Sequence, residues 1–216
     1  MAIRPIDHGI IAMSGAGAAG AGYFGGGSIS GGRQAVVDKF AFPDDSRSTL
    51  GTGLAVATNS LAAMANSGVA GYFGGGFISS GATANIDKFA FADDSRSTLS
   101  TGLPTAVYIL AGMANSGTAG YFGGGTKYPN YYTTVDKFAF PGDGKSTLGT
   151  GLSVGRDGLT GMANSGTAGY FAGGYQSGGP NVSTVDKFAF SDDSRSTLGT
   201  GLSVAAGYLA AMANGL

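Results

Sequence analysis

Several residue types in this chain sit at spacings that could carry chemistry. The run AGYFGGG begins at Ala21, Ala70 and Ala119, and returns as AGYFAGG at Ala168. Consecutive glycines can cradle phosphate, but a P-loop needs a Gly-Lys-Ser/Thr at fixed spacing that opens a helix, and none follows these runs at that spacing. A dinucleotide fingerprint needs a strand–helix–strand unit, which is also missing. The carboxylate pairs Asp44/Asp45, Asp93/Asp94 and Asp192/Asp193 could hold calcium or act as acid and base. They lie in DDSRST turns, and the third copy, PGDGKST, keeps Asp143 alone. A hairpin turn whose carboxylates bond their own backbone, with Arg47 and its equivalents pairing locally, accounts for them better. His8 is the single histidine and there is no cysteine, which disfavours transition-metal sites, disulfides and a serine–histidine–aspartate arrangement. The expectation is a protein that is not an enzyme and carries no cofactor or metal.

Composition agrees with that direction. Charged residues are 12% of 216 and the formal net charge is −1, so no electrostatic footprint for nucleic acid is expected. Glycine numbers 42, yet 43% of residues are hydrophobic and recur in order, which argues against disorder. No segment approaches the roughly 20 apolar residues of a membrane-spanning helix, and the N-terminal MAIRPIDHGII lacks the apolar core of a signal peptide. The expectation is no membrane insertion and a soluble protein, cytoplasmic when made.

The elements that must position these residues come from self-similarity. Tyr23, Tyr72, Tyr121 and Tyr170 are regularly spaced, DKFAF follows at Asp38, Asp87, Asp136 and Asp186, and Ser48, Ser97, Ser146 and Ser196 open STLGTGL or STLSTGL. MANSG starts at Met64, Met113 and Met162, and MANGL closes the chain from Met212. Each unit reads as four short strands: LAAMANS, AGYFGG, VDKFAF and STLGTGL. Four strands in a period of about 49 residues is the sequence signature of a β-propeller blade. The glycines then serve close packing between sheets. The expected architecture is all-β: four four-stranded blades over 13–216, preceded by an N-terminal arm, 1–12.

AGYFGGG followed by an aromatic strand, DKFAF, resembles the Kelch repeat, whose second strand ends in a glycine doublet. The resemblance covers all four units and departs from the family in lacking any tryptophan. It implies that LAAMANS lies innermost, then AGYFGG, VDKFAF and STLGTGL. A C-terminal strand, 208–216, could then close the ring on the first blade or pair with another subunit. GIIAMSG near the N-terminus competes for the same place. The near-identical Gly-rich units also look like repeat proteins encoded by cyanobacterial phages. That likeness implies a virion component of the tail, fibre or baseplate, with other virion proteins and a host surface glycan as partners, and an oligomer or larger assembly around it. A stand-alone propeller lectin is the alternative.

Binding should be sought where the copies diverge. One variable segment follows the glycines and the other precedes LAAMANS. Antiparallel strand direction puts both on one face of a blade. On this face the sequence places Arg33, Tyr108, Lys127, Tyr128, Asn130, Tyr131, Tyr132, Arg156, Asp157, Tyr175, Gln176, Asn181 and Tyr208. Tyrosine and asparagine on a rigid scaffold suit recognition of a sugar or a protein.

Overall fold

The computed structural model describes Asp7–His8, Ile10–Ile11 and residues 20–214. All regular structure among these residues is β-strand. The second repeat forms a four-stranded antiparallel sheet in the order Ala62–Asn66, Ala70–Gly74, Ile86–Ala90, Arg96–Thr98. The third repeats it with Ala111–Asn115, Ala119–Gly123, Val135–Ala139 and Gly144–Thr147, and the fourth with Thr160–Asn164, Ala168–Ala172, Val185–Ala189 and Arg195–Thr197. The first repeat contributes Ala21–Gly25, Val37–Ala41 and Arg47–Thr49. Asp7–His8 pairs antiparallel with Ile10–Ile11. Most of the expected arm, and the rest of GIIAMSG, lie outside the described residues.

The fourth strand is shorter than STLGTGL suggests. It stops at the threonine, because the following Thr-Gly-Leu turns inward. A Cβ on Gly53, Gly102, Gly151 or Gly201 would fall 2.0–2.3 Å from the carbonyl oxygen of Ala35, Ala84, Thr133 or Ser183. Only a glycine lets the chain pass that close.

Successive sheets stack face to face, and the repeated aromatics are the glue. Phe73, Phe122 and Phe171 each lay their ring on the first glycine of the preceding repeat's triplet, Gly25, Gly74 and Gly123. Tyr23, Tyr72 and Tyr121 stack on Phe91, Phe140 and Phe190 of the next repeat, with centroids 5.1–5.5 Å apart. The first strands of neighbouring repeats approach just as closely: Gly112 faces the Ala63 carbonyl and Gly161 faces that of Gly112. The apolar clusters therefore run between sheets, combining for example Met64, Tyr72 and Leu110 with Phe122, Phe138 and Phe140.

A polar node recurs at each junction. Tyr23, Tyr72 and Tyr121 donate to Oδ1 of Asp94, Asp143 and Asp193 at 2.6–2.8 Å. Lys39, Lys88 and Lys137 reach Oδ2 of the same carboxylates at 2.6–2.7 Å. These are the second aspartates of the turns. The first ones, Asp44, Asp93 and Asp192, accept from the backbone N–H two residues on. The division of labour explains why PGDGKST can lose the first carboxylate but keeps Asp143. It also corrects the expectation for the arginines. Arg47, Arg96 and Arg195 pair with the strand carboxylates Asp38, Asp87 and Asp186 rather than with the turns.

The C-terminal copy of the first strand is placed differently from the others. Residues 210–214 belong to no sheet, and Met212 is 80% exposed where Met64 and Met113 are 4%.

Candidate recognition site

Each glycine triplet is followed by a small hairpin, as at Phe77–Ile78 with Gly81–Ala82 and Thr126–Lys127 with Asn130–Tyr131. The segment leading into each first strand is hydrogen-bonded to the hairpin of its own repeat. Asn59 bridges Phe77, Tyr108 bridges Thr126, and Arg156–Asp157 pairs with Tyr175–Gln176. The two variable segments thus form one continuous surface. A backbone ladder runs beneath it from repeat to repeat. Ile109 donates to the Ser60 carbonyl at 2.8 Å, Gly158 to Ile109 at 3.1 Å, and Tyr208 to Gly158 at 2.6 Å. All four residues hold φ between 54° and 59°. Outside glycine this left-handed region costs on the order of 1 kcal/mol, so packing and the ladder hold Tyr208 there.

Asp157 belongs to this surface, paired through its backbone with Tyr175. It is 5% exposed, and its Oδ1 is buried without a hydrogen-bond partner among the described residues. Burial pushes its carboxyl up to about 6. Three tyrosines, Tyr131, Tyr175 and Tyr208, lie near it. Tyr131 and Tyr175 pack with centroids 5.8 Å apart. The Tyr208 ring lies 3.4 Å from where a Cβ on Gly158 would stand. Desolvation, then the Asp157 charge, pushes the hydroxyls of Tyr131 and Tyr208 up, and Tyr108 acts on Tyr208 in turn. A second aromatic run adjoins it: the Arg33 guanidinium stands 4.7 Å over the Phe77 ring, which meets Tyr108 edge-on at 4.9 Å. Lys127, Tyr128 and Asn130 are exposed at the hairpin tip, with Tyr128 the most open of the tyrosines at 78%. Gln176 joins the surface through its backbone pairing, and the Asn181 side-chain oxygen Oδ1 packs toward Gly207.

Two residues expected on this face do other work. Arg156 is fully buried: Nη2 lies 3.0 Å from Asp186 Oδ2 and donates to the Phe171 carbonyl at 3.2 Å. Its alternating backbone direction in the two-residue strand turns it inward while Asp157 turns toward the tyrosines. Burial raises the Asp186 carboxyl, but donors from Thr197 and Ser153 and the Arg156 charge outweigh it, leaving Asp186 below the usual range. Tyr132 is half-buried and packs on the apolar cluster around Leu103 and Phe138. Phe77, which the sequence reading passed over, belongs to the face; its signal was a lone aromatic directly after a glycine triplet.

No protein-family model matches the chain, and no curated protein matches it. Among solved structures it is similar to one titled "Structure of YjhT", with a TM-score of 0.62 at 15% sequence identity. The match covers 77% of this chain and 52% of that one, so this chain spans about half the length of its structural neighbour. The likeness and the repeated antiparallel sheets are consistent with a β-propeller-like fold.

Proposed function

We propose that the chain is a non-enzymatic structural and interaction module, built as four Kelch-like blades of a β-propeller, whose variable face recognises a carbohydrate. The observation that carries this reading is Asp157. A buried carboxylate oxygen without a donor invites one from a ligand, and the nearby tyrosines offer flat apolar surface for the carbon skeleton beside it. A polyhydroxyl ligand supplies both. The proposed setting, a virion's tail or fibre apparatus with a host surface glycan as target, draws on the sequence resemblance to phage repeat proteins.

A lectin with one equal site in every blade fits less well. The residues standing where Asp157 stands are Asn59, Tyr108 and Gly207: Asn59 Oδ1 is likewise buried without a partner among the described residues, but the carboxylate occurs once, and Tyr108 and Gly207 carry no side-chain carbonyl. A printed glycan array probed with fluorescently tagged protein tests the reading. Binding to a discrete group of saccharides is expected, and the absence of any bound glycan overturns it.

A further inference from the structure

The three internal junctions use one set of contacts, and the two outer faces of the stack carry the unmatched halves of that set. On the fourth repeat, the Tyr170 hydroxyl and the Lys187 ammonium have no carboxylate partner among the described residues, although Tyr23/Lys39, Tyr72/Lys88 and Tyr121/Lys137 all do. On the first repeat, Asp45 is the matching acceptor; it is exposed, holds the same left-handed φ of 56°, and no Tyr or Lys reaches it among the described residues. Phe42, the counterpart of the rings that stack on Tyr23, Tyr72 and Tyr121, is 40% exposed. Phe24, the counterpart of Phe73, Phe122 and Phe171, is 49% exposed against 0–7% for those three.

The backbone is unmatched in the same sense. Ala55 and Ser153 each donate an N–H across a junction to Asp87 and Asp186 of the next repeat. Ser203 holds the equivalent place after the fourth repeat, and Asp38 holds the equivalent acceptor in the first. Beside the second strand of the first repeat lies a hollow of about 540 Å³ bounded by Phe24, Gly25, Leu61, Ala62, Ala63 and Phe73. In later repeats a first strand pairs with the second strand, and in the first repeat Ile10–Ile11 packs against Ala21–Gly25. Residues 210–214, AAMAN, repeat the sequence of Ala62–Asn66 and are in no sheet.

We propose that a second copy of this chain docks head to tail on the first: the fourth repeat of one copy meets the first repeat of the next. Tyr170 and Lys187 close on the partner copy's Asp45, and the partner copy's Phe42 stacks on Tyr170. The interface is heterologous, with different surfaces on the two sides. It is independent of the ligand taken by the variable face. One feature distinguishes it from the internal junctions. Phe24 meets Ala172 instead of a glycine, and a Cβ at the internal positions lies only 2.7–2.9 Å from the facing ring. The far end of a phenylalanine ring can shift to accept a methyl, so the junction is looser than its internal models.

Sedimentation velocity across a concentration series tests this with charge reversal. The wild-type chain is expected to self-associate. Asp45→Lys and Lys187→Asp, each introducing a like-charge contact, are expected to raise the dissociation constant about tenfold or more while leaving the thermal midpoint of the dilute chain unchanged. The double variant Asp45→Lys/Lys187→Asp re-forms an opposite-charge pair only if the two positions meet between copies, and is expected to recover association. Ala172→Gly is expected to tighten it. A wild-type chain that stays monomeric throughout, or a double variant no better than its parents, overturns the proposal.

Discussion

The Tyr72 hydroxyl donates to Asp143 Oδ1 at 2.7 Å across the boundary between the second and third sheets, and Lys88 meets Oδ2 of the same carboxylate at 2.6 Å. Burial and the Asp143 charge both push the phenol further from ionisation, so it remains a donor at any working pH. One carboxylate thus takes two donors from the neighbouring sheet. Tyr72→Phe is expected to lower stability by about 1.5–3 kcal/mol, the usual worth of a hydrogen bond to a charged group. Asp143→Ala, which strands both donors, is expected to cost more. Urea unfolding of the two variants and their double should show a coupling of at least about 0.5 kcal/mol.

The glycines of the triplets are expected to differ from the glycines of the turns. A Cβ on Gly74 would lie 2.7 Å from the Phe122 ring, and one on Gly75, at φ +64°, would lie 2.8 Å from the Val107 carbonyl. Gly74→Ala should cost about 1–3 kcal/mol through overpacking. Gly75→Ala should cost at least as much, since the backbone it meets cannot rotate away. Gly149→Ala meets nothing within 4 Å and should fall within about 0.5 kcal/mol of wild type. Thermal denaturation ranks the three.

Arg156 and Asp186 are both fully buried. Arg156→Ala leaves the carboxylate with fewer compensating groups and is expected to destabilise by about 3 kcal/mol or more. Arg156→Met fills the space without a charge, and is expected to be less damaging than alanine. Denaturant midpoints at constant m-value separate the two.

Asp157 makes stability depend on pH in a defined direction. Its folded-state carboxyl sits at about 6, above the ordinary 3.8, so the folded chain holds the proton more tightly than the unfolded one. The stabilisation this gives is complete below about pH 4, and it is lost as pH rises through about 6. Asp157→Asn removes the titration. The stability of wild type relative to that variant should therefore fall by on the order of 2 kcal/mol between pH 4 and pH 7, measured by chemical unfolding at each pH.

Much of this was legible in the sequence because repetition marks what packing demands. AGYF, DKFAF and the triplets recur since each junction asks for the same ring on the same glycine. The loss of one aspartate in PGDGKST already held the clue that only the second, Asp143, is shared between sheets. Other features depend on through-space geometry that periodicity does not carry. Arg156 and Asp157 are neighbours in a variable segment and looked alike as surface residues. Strand alternation sends the first to Asp186 and the second to the tyrosines. The early end of the fourth strand was hidden for a similar reason, because Gly53 and its equivalents approach a carbonyl distant in sequence. Tyr132 reads as a third member of a tyrosine cluster, yet the hairpin directs it to the apolar layer.

The reading of the variable face rests on Asp157 and the tyrosines near it. Its most direct test compares wild type, Asp157→Ala and Tyr131→Ala on one glycan array, with thermal midpoints taken in parallel. The expected result is a discrete set of saccharides bound by wild type and lost in both variants, with Tyr131→Ala remaining folded. Saccharide binding that survives both substitutions, or no binding by the wild-type chain, would contradict it.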